Sequence, residues 1–563
     1  MLAVLPMMEP QGAAQNTPQP APVERPQARS MVVTQDGIVA AESPLAAQAG
    51  VEILRSGGNA VDAAIAANAV MGVVAPMSNG IGGDLFVIYY EAKTDKIYGL
   101  NASGPAPAAL NAQLLRDKGF RAMPQRGIYS VTVPGAVDGW QKLLDRFGTK
   151  KFPEILAPAI HVAEQGFPVT EWVSWLWANN ADALRKDDEA AHVYLNNDQP
   201  IRMGQLFRNP DLAWSLSQIA SGGRDAFYKG EIANRIVQTS LQHDGVMNLE
   251  DLASYSSEWV DPLSTGYRGW TVYELPPNGQ GVAALEMLNI METFPLGSPD
   301  FPFNQTRTLH MMIEAKKLAY ADLERYIGEP RENPAVMKAA TAMLAKPYAA
   351  ERAKLIDMAK ANCSVAPGNP LPPAGDTIYL SVVDRDGNMV SLIQSNYENF
   401  GSGLVPQGTG FVLHDRGGLF SLDANSPNVL AGRKRPLHTI IPAFMEKDNV
   451  RIAFGIMGGW NQAQAHAQYV SHIVDYKQNI QLAMETARFT KGTFGGCDVE
   501  LENRVPGNVI PELRAKGHEI TVRNGFSNRF GGGQAVMRDF STKVNYGASD
   551  PRKDGAAIPE LRF

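Results

Sequence analysis

From Gly37 the chain reads GIVAAESPLAAQAGVEILRSGGNAVDAAIAANAVMGVVAP, with Ala, Leu, Ile and Val recurring at helical spacing until Gly57-Gly58 interrupts the run. Two packed helices are predicted, and Asn59 or Asp62 can cap the free amides of the second. The next stretch, SNGIGGDLFVIYYEAKTDKIYGLNASG, is a glycine-rich turn leading into strands rich in β-branched and aromatic residues. Pro153 to about Gln242 reads as mostly helical. GWTVYELPPNGQGVAALEMLNIMETF returns to strand, turn and helix, and HMMIEAKKLAYADLERYIG is an amphipathic helix. Alternation on this scale predicts a layered domain of helices and sheets.

The pattern changes between Glu351 and Asp376, ending in SVAPGNPLPPAGD, a proline-rich loop that is the clearest internal boundary. Directly after it, TIYLSVVDRDGNMVSLIQS gives two alternating runs joined around Asp386-Gly387-Asn388, a strong hairpin signal whose first residue is Thr377. At the other end, residues 1–30 carry Pro6, Pro10, Pro18, Pro20, Pro22 and Pro26 among Gln and Ala, a composition expected to form a flexible tail. The opening MLAVLPMM is too short, and lacks the basic n-region, for a signal peptide. A trimmed stub and an arbitrary start are equally open, so the site of action is either periplasmic or secreted, or cytoplasmic.

The 51 basic and 58 acidic side chains of this 563-residue chain leave a net charge of −7, which argues against an electrostatic nucleic-acid binder. With 44% apolar and 19% charged residues a large core can form, and no run of about 18 apolar residues suggests a membrane span. Cys363 and Cys497 are the only cysteines, which excludes a disulfide framework and a multi-cysteine zinc site. No G-x-S-x-G elbow, H-E-x-x-H or Walker loop is present. The nine histidines are scattered, and His466 and His472 stand six apart, off a common helix face, so structural roles are expected.

Five segments occur in order: SPLAAQAGVEILRSGGNAVDAA, SNGIGGDLF, VTVPGAVDGW, LPPNGQG and DTIYLSVVDRDGNMVSL. Together they resemble the γ-glutamyltransferase family of N-terminal-nucleophile hydrolases. The resemblance implies an α+β fold, a four-layer αββα sandwich, assembled from the two chains of a proenzyme that cuts itself between Asp376 and Thr377. The large chain would be residues 31–376 behind the 1–30 tail, and the small chain 377–563. Cleavage frees an α-amine of unperturbed pKa about 7.7–8, so that Thr377 supplies both nucleophile and general base. The resemblance further implies oxyanion donors at Gly458 and Gly459 in RIAFGIMGGW, and an auxiliary hydroxyl at Ser395. It implies a small-molecule amide as substrate, association of the large and small chains, and no metal or organic cofactor.

Substrate recognition departs from the family pattern. Ser103, in NASGPAP, stands where the family places the arginine that grips the glutamyl carboxylate, and no arginine lies nearby in the sequence. The positions that hold the α-ammonium read Tyr397, Arg416 and Leu419, and the paired serines become His438 and Thr439. Burying an ammonium beside Arg416 is costly, whereas its planar fork suits a carboxylate. The bland alternative for Arg416 is an ion pair with Asp415 or a solvated side chain. The reading is therefore acylase chemistry through an acyl ester on Thr377, with specificity moved toward a carboxylate-bearing amide. The SNY…FGSG stretch looks like the branch that includes oxamate amidohydrolase-like and cephalosporin-acylase-like enzymes. An ordinary γ-glutamyltransferase or glutathione hydrolase, and an unprocessed binding protein, are the alternatives.

Overall fold

The computed structural model describes residues 26–365 and 376–561. In chain order, the first seven strands of the two main sheets are β1 (Val32–Thr34), β2 (Ile38–Ala41), β3 (Asp84–Glu91), β4 (Lys96–Ala102), β5 (Glu258–Val260), β6 (Leu263–Tyr267) and β7 (Trp270–Glu274). The second seven are β8 (Asp376–Val383), β9 (Met389–Tyr397), β10 (Ala443–Lys447), β11 (Val450–Ile456), β12 (Gly533–Asp539), β13 (Val544–Ser549) and β14 (Ala556–Pro559). One sheet runs β14-β2-β8-β9-β3-β4-β5 and the other β1-β13-β12-β11-β10-β7-β6, each antiparallel throughout.

Alternation along each strand divides the side chains between two cores. Phe86 and Ile88 of β3, Tyr379 of β8 and Ile393 of β9 meet Phe444, Ala453 and Val536 in the space between the sheets. The intervening residues, among them Leu85, Val87, Leu380 and Leu392, pack beneath α1 (Pro44–Arg55), α2 (Ala60–Val74) and the helices around Trp140 and Leu216. On the far side, Met445, Ile452 and Phe454 support α3 (Gly281–Glu292), α4 (Thr306–Tyr326) and α5 (Asn461–Val474). The result is helix, sheet, sheet, helix, the αββα sandwich expected. The sheets come very close at one point: a Cβ on Gly455 of β11 would lie 2.4 Å from the Tyr379 ring, so glycine is required there.

The β8–β9 hairpin forms as the alternation and the D-G-N turn predict. Leu380 pairs with Leu392, and the Asp384 carboxylate accepts the Asn388 N–H at 2.9 Å while Gly387 takes φ 93°. Asp384 also accepts the Ala60 N–H, docking the hairpin on the start of α2, where Asn59 and Asp62 form a reciprocal capping box.

Three expectations are refined. The helix α4 has no solvated polar face: His310, Glu314, Lys316 and Lys317 are buried, because residues 357–363 and the strands around Asp498 and Glu519 cover it. The two cysteines, too few for a framework, still form one bridge across a sequence separation of 134. Of the expected tail, residues 1–25 lie outside the described residues. Arg29 donates its N–H to Glu485 at 2.8 Å and its guanidinium to the Gly555 carbonyl at 2.7 Å. Among the described residues no helix is long and apolar enough to cross a membrane.

Candidate active site

Antiparallel pairing brings the start of β8, the end of β9 and the start of β3 to one end of their sheet. Ser395 pairs with Asp84, and Asp376 with Tyr397, with a register shift between Asp376 and Ile378 that sets Thr377 apart from the regular ladder. The Thr377 hydroxyl donates to Ser395 Oγ at 3.1 Å, and the Tyr397 N–H donates to the same oxygen at 2.8 Å. Tyr397 takes φ 74°, a strained conformation for a residue with a side chain.

The other sheet supplies the facing wall at the same end. After β11 the chain turns through Gly458 (φ 126°) and Gly459 (φ 57°), conformations that favour glycine. The Gly458 carbonyl accepts the Asn461 N–H, and among the described residues neither glycine donates its own N–H. Gln280, from the LPPNGQG segment, donates its amide to the Gly459 carbonyl at 2.9 Å and to the Thr439 carbonyl at 2.5 Å. The Tyr320 hydroxyl donates to the next carbonyl, that of Trp460. A cleft of about 530 Å³ opens at this turn, lined by Glu398, Asn399, Gly458, Trp460 and Trp175.

Between the two walls lies a buried polar cluster centred on Asp84. His438 Nε2 approaches its carboxylate at 2.8 Å, His414 Nδ1 at 3.1 Å and Arg416 Nε at 3.3 Å, and the Gly104 N–H donates to it at 3.2 Å. Burial alone would raise the Asp84 pKa, but the surrounding His414 and His438 hold the carboxyl well below the usual range. Burial, reinforced by the Arg416 charge, lowers His438 to about 3, so its neutral ring donates through Nε2 and accepts the Ile440 N–H at Nδ1. Arg416 is fully buried, donates Nη1 to the Thr439 hydroxyl at 2.7 Å, and rests 4.7 Å from the Tyr397 ring centroid. Its Nη2 has no acceptor among the described residues.

Thr377, Ser395, Tyr397, Arg416, His438 and Thr439 are thus brought together. Arg416 is neither solvated nor paired with Asp415, whose carboxylate accepts the Glu398 N–H instead; Asp84 is its partner. Ser103 stands just past β4 of the same sheet, beside the Gly104 that bonds Asp84, its hydroxyl donating to Asn101 and accepting from Asn278. It lines a cavity of about 340 Å³ with Arg331, Arg433 and Arg435, so arginines absent from its sequence neighbourhood approach it in space. Arg435 is committed to Glu329 at 2.7 and 2.9 Å. His466 is structural as expected, bridging Glu274 and the Ile456 N–H.

The sequence reading gave no role to Asp84, His414, Gln280 or Tyr320. Asp84 carried a signal, a lone acid opening the otherwise apolar strand DLFVIYY. Away from this site, His310, Glu314 and His518 gather within ligand reach of one another, but Lys317 already occupies the Glu314 carboxylate at 2.7 Å.

The chain matches the Gamma-glutamyltranspeptidase family over residues 46–560. It is 35% identical to the glutathione hydrolase-like YwrD proenzyme of Bacillus subtilis, over 91% of this chain and 96% of that protein. It is 34% identical to the oxamate amidohydrolase proenzyme of Klebsiella pneumoniae, over 93% and 98% respectively. Its structure superposes on cephalosporin acylase from Bacillus halodurans with a TM-score of 0.88 at 39% identity, covering 99% of this chain and all of that one. Fold, motif order and these likenesses agree: the chain belongs to the gamma-glutamyltranspeptidase family of N-terminal-nucleophile amidohydrolases and acyltransferases, as a divergent member.

Proposed function

We propose that the chain cuts itself between Asp376 and Thr377 and then hydrolyses, or transfers the acyl group of, a carboxylate-bearing amide through an ester on Thr377. In the first event the Thr377 hydroxyl attacks the Asp376 carbonyl, the acyl group moves from nitrogen to oxygen, and water hydrolyses the ester. In turnover, the freed α-amine takes the hydroxyl proton as Oγ1 attacks the substrate carbonyl. The Gly458 and Gly459 N–H groups receive the oxyanion, and the protonated amine returns its proton to the leaving nitrogen. Water or a second amine then resolves the acyl ester. Ser395 holds the Thr377 hydroxyl in line. The interleaving of β2 with β8, β3 with β9 and β7 with β10 supports lasting association of the two chains.

The substrate class rests on one observation, the fully buried Arg416 with Nη2 unspent. An α-ammonium placed about 4 Å from this guanidinium would meet about 4 kcal/mol of repulsion at an effective dielectric constant near 20, reduced by the share of charge that Asp84 neutralises. A carboxylate would gain a charge-assisted hydrogen bond there. Oxamate, for which the Klebsiella relative is named, is an amide bearing a carboxylate. The test compares glutaryl anilide, which lacks the α-amine, with γ-glutamyl anilide. A kcat/KM for the glutaryl compound higher by about tenfold or more is expected; faster cleavage of the γ-glutamyl compound would overturn the specificity while leaving the mechanism in place.

A further inference from the structure

The Cys363–Cys497 bridge spans the proposed cleavage point. Cys363 precedes Asp376 and Cys497 follows Thr377, and their Cα atoms stand 4.8 Å apart. We infer that in the processed protein this bridge is a covalent link between the large and small chains. The inference rests on the proposed cleavage after Asp376. Before the cut the bridge closes a loop within one polypeptide; after it, the same bond joins two.

The surroundings show a built junction. Residues 357–363, close to the last described residue before Asp376, are fastened to the body at several points. The Asp357 carbonyl lies 2.8 Å from His310 Nε2, the Ala361 N–H donates to the Lys516 carbonyl at 2.8 Å, and Asn362 donates its N–H to Glu314 at 3.2 Å. Lys317 sits at the centre, donating to Glu314 at 2.7 Å and to the Asn362 carbonyl at 3.0 Å, with its ammonium 3.7 Å from Cys497 Sγ. The bridge therefore anchors the carboxyl-terminal end of the large chain to the loop before the Asp498–Glu502 strand of the small one.

The two cysteines differ in exposure, and this sets how the link is expected to open. Cys363 is an exposed residue whereas Cys497 is 3% exposed. A small thiolate attacks Cys363 Sγ; the S–S bond breaks, a mixed disulfide forms on Cys363, and the electron pair leaves on Cys497 Sγ as a thiolate beside the Lys317 ammonium. A second small thiolate takes the outer sulfur of the mixed disulfide, releasing the Cys363 thiolate and the oxidised small thiol. A bridge that persists places the working protein in an oxidising compartment.

The experiment is a denaturing gel of active protein blocked with N-ethylmaleimide, run with and without dithiothreitol. Without reductant a single band of 61.0 kDa is expected; with it, two bands of about 41 and 20 kDa, the shares that residues 1–376 and 377–563 carry. Two bands without reductant would overturn the link and leave cleavage standing. One band under both conditions would overturn the cleavage on which the link depends. Cys363→Ser protein, if folded, should separate into two bands in either lane; should it fail to fold, recovery of a Cys363–Cys497 cross-linked peptide from non-reduced wild-type protein decides, and two free thiols there would refute the link.

Discussion

Gln280 is the most informative residue to change, because its one amide group ties the Gly459 carbonyl of the proposed oxyanion turn to the Thr439 carbonyl. Gln280→Met keeps the length of the side chain and removes its donor. The Thr439 carbonyl then loses its 2.5 Å partner, whereas the Gly459 carbonyl keeps the Gln462 N–H at 3.3 Å. One buried acceptor left bare and a second weakened cost about 2–4 kcal/mol of stability. Losing an oxyanion donor outright lowers kcat by about 10²–10³-fold, and Gln280 acts by aiming the donors, so a drop of about ten- to a hundredfold is expected. KM should change little, since the turn is engaged in the transition state rather than in substrate binding. The assay is steady-state hydrolysis of glutaryl anilide by processed protein, with thermal unfolding measured separately. A variant that melts earlier yet keeps the wild-type kcat would refute the positioning role.

Other outcomes follow from the same geometry. Thr377→Ala should abolish both self-cleavage and turnover, checked by gel and by anilide release; residual turnover above about a thousandth of wild type would contradict it. Arg416→Met should cut kcat/KM for the glutaryl anilide by about 10–100-fold, the worth of one charge-assisted hydrogen bond, while a neutral acyl anilide is cleaved unchanged. Acid should destabilise the fold early. His438 and His472 are buried with pKa near 3 against an ordinary 6.5, so the unfolded chain binds more protons between these values. Their stabilisation is complete above pH 6.5 and is lost as pH falls toward 3, at up to about 2.7 kcal/mol per pH unit for the pair. Urea midpoints from pH 7 to 5 report this, and a flat profile would contradict it.

Much of the fold is legible because it rests on local periodicity: the strand alternation of Thr377 to Ser395, the D-G-N turn and the Asn59 cap all act within a few residues. The buried cluster is not legible in that way, because Asp84, the His414–Arg416 stretch and His438 meet only once three separate segments are folded together. The chain offers Asp415 as the natural partner of Arg416, but the Asp415 carboxylate accepts the Glu398 N–H while the arginine reaches across to Asp84 of β3. The polar residues of α4 mislead for a related reason. Charge spacing reports which residues share a helix face, and only tertiary structure shows that Lys317 and Glu314 neutralise each other inside the protein.

Mass spectrometry of reduced, catalytically active protein tests the Thr377 chemistry most directly. A chain of residues 377–563 with a free amino-terminal threonine, which carries the acyl group when substrate is added and the reaction is quenched, is the expected result. Full turnover from protein in which Asp376 and Thr377 remain joined would contradict it.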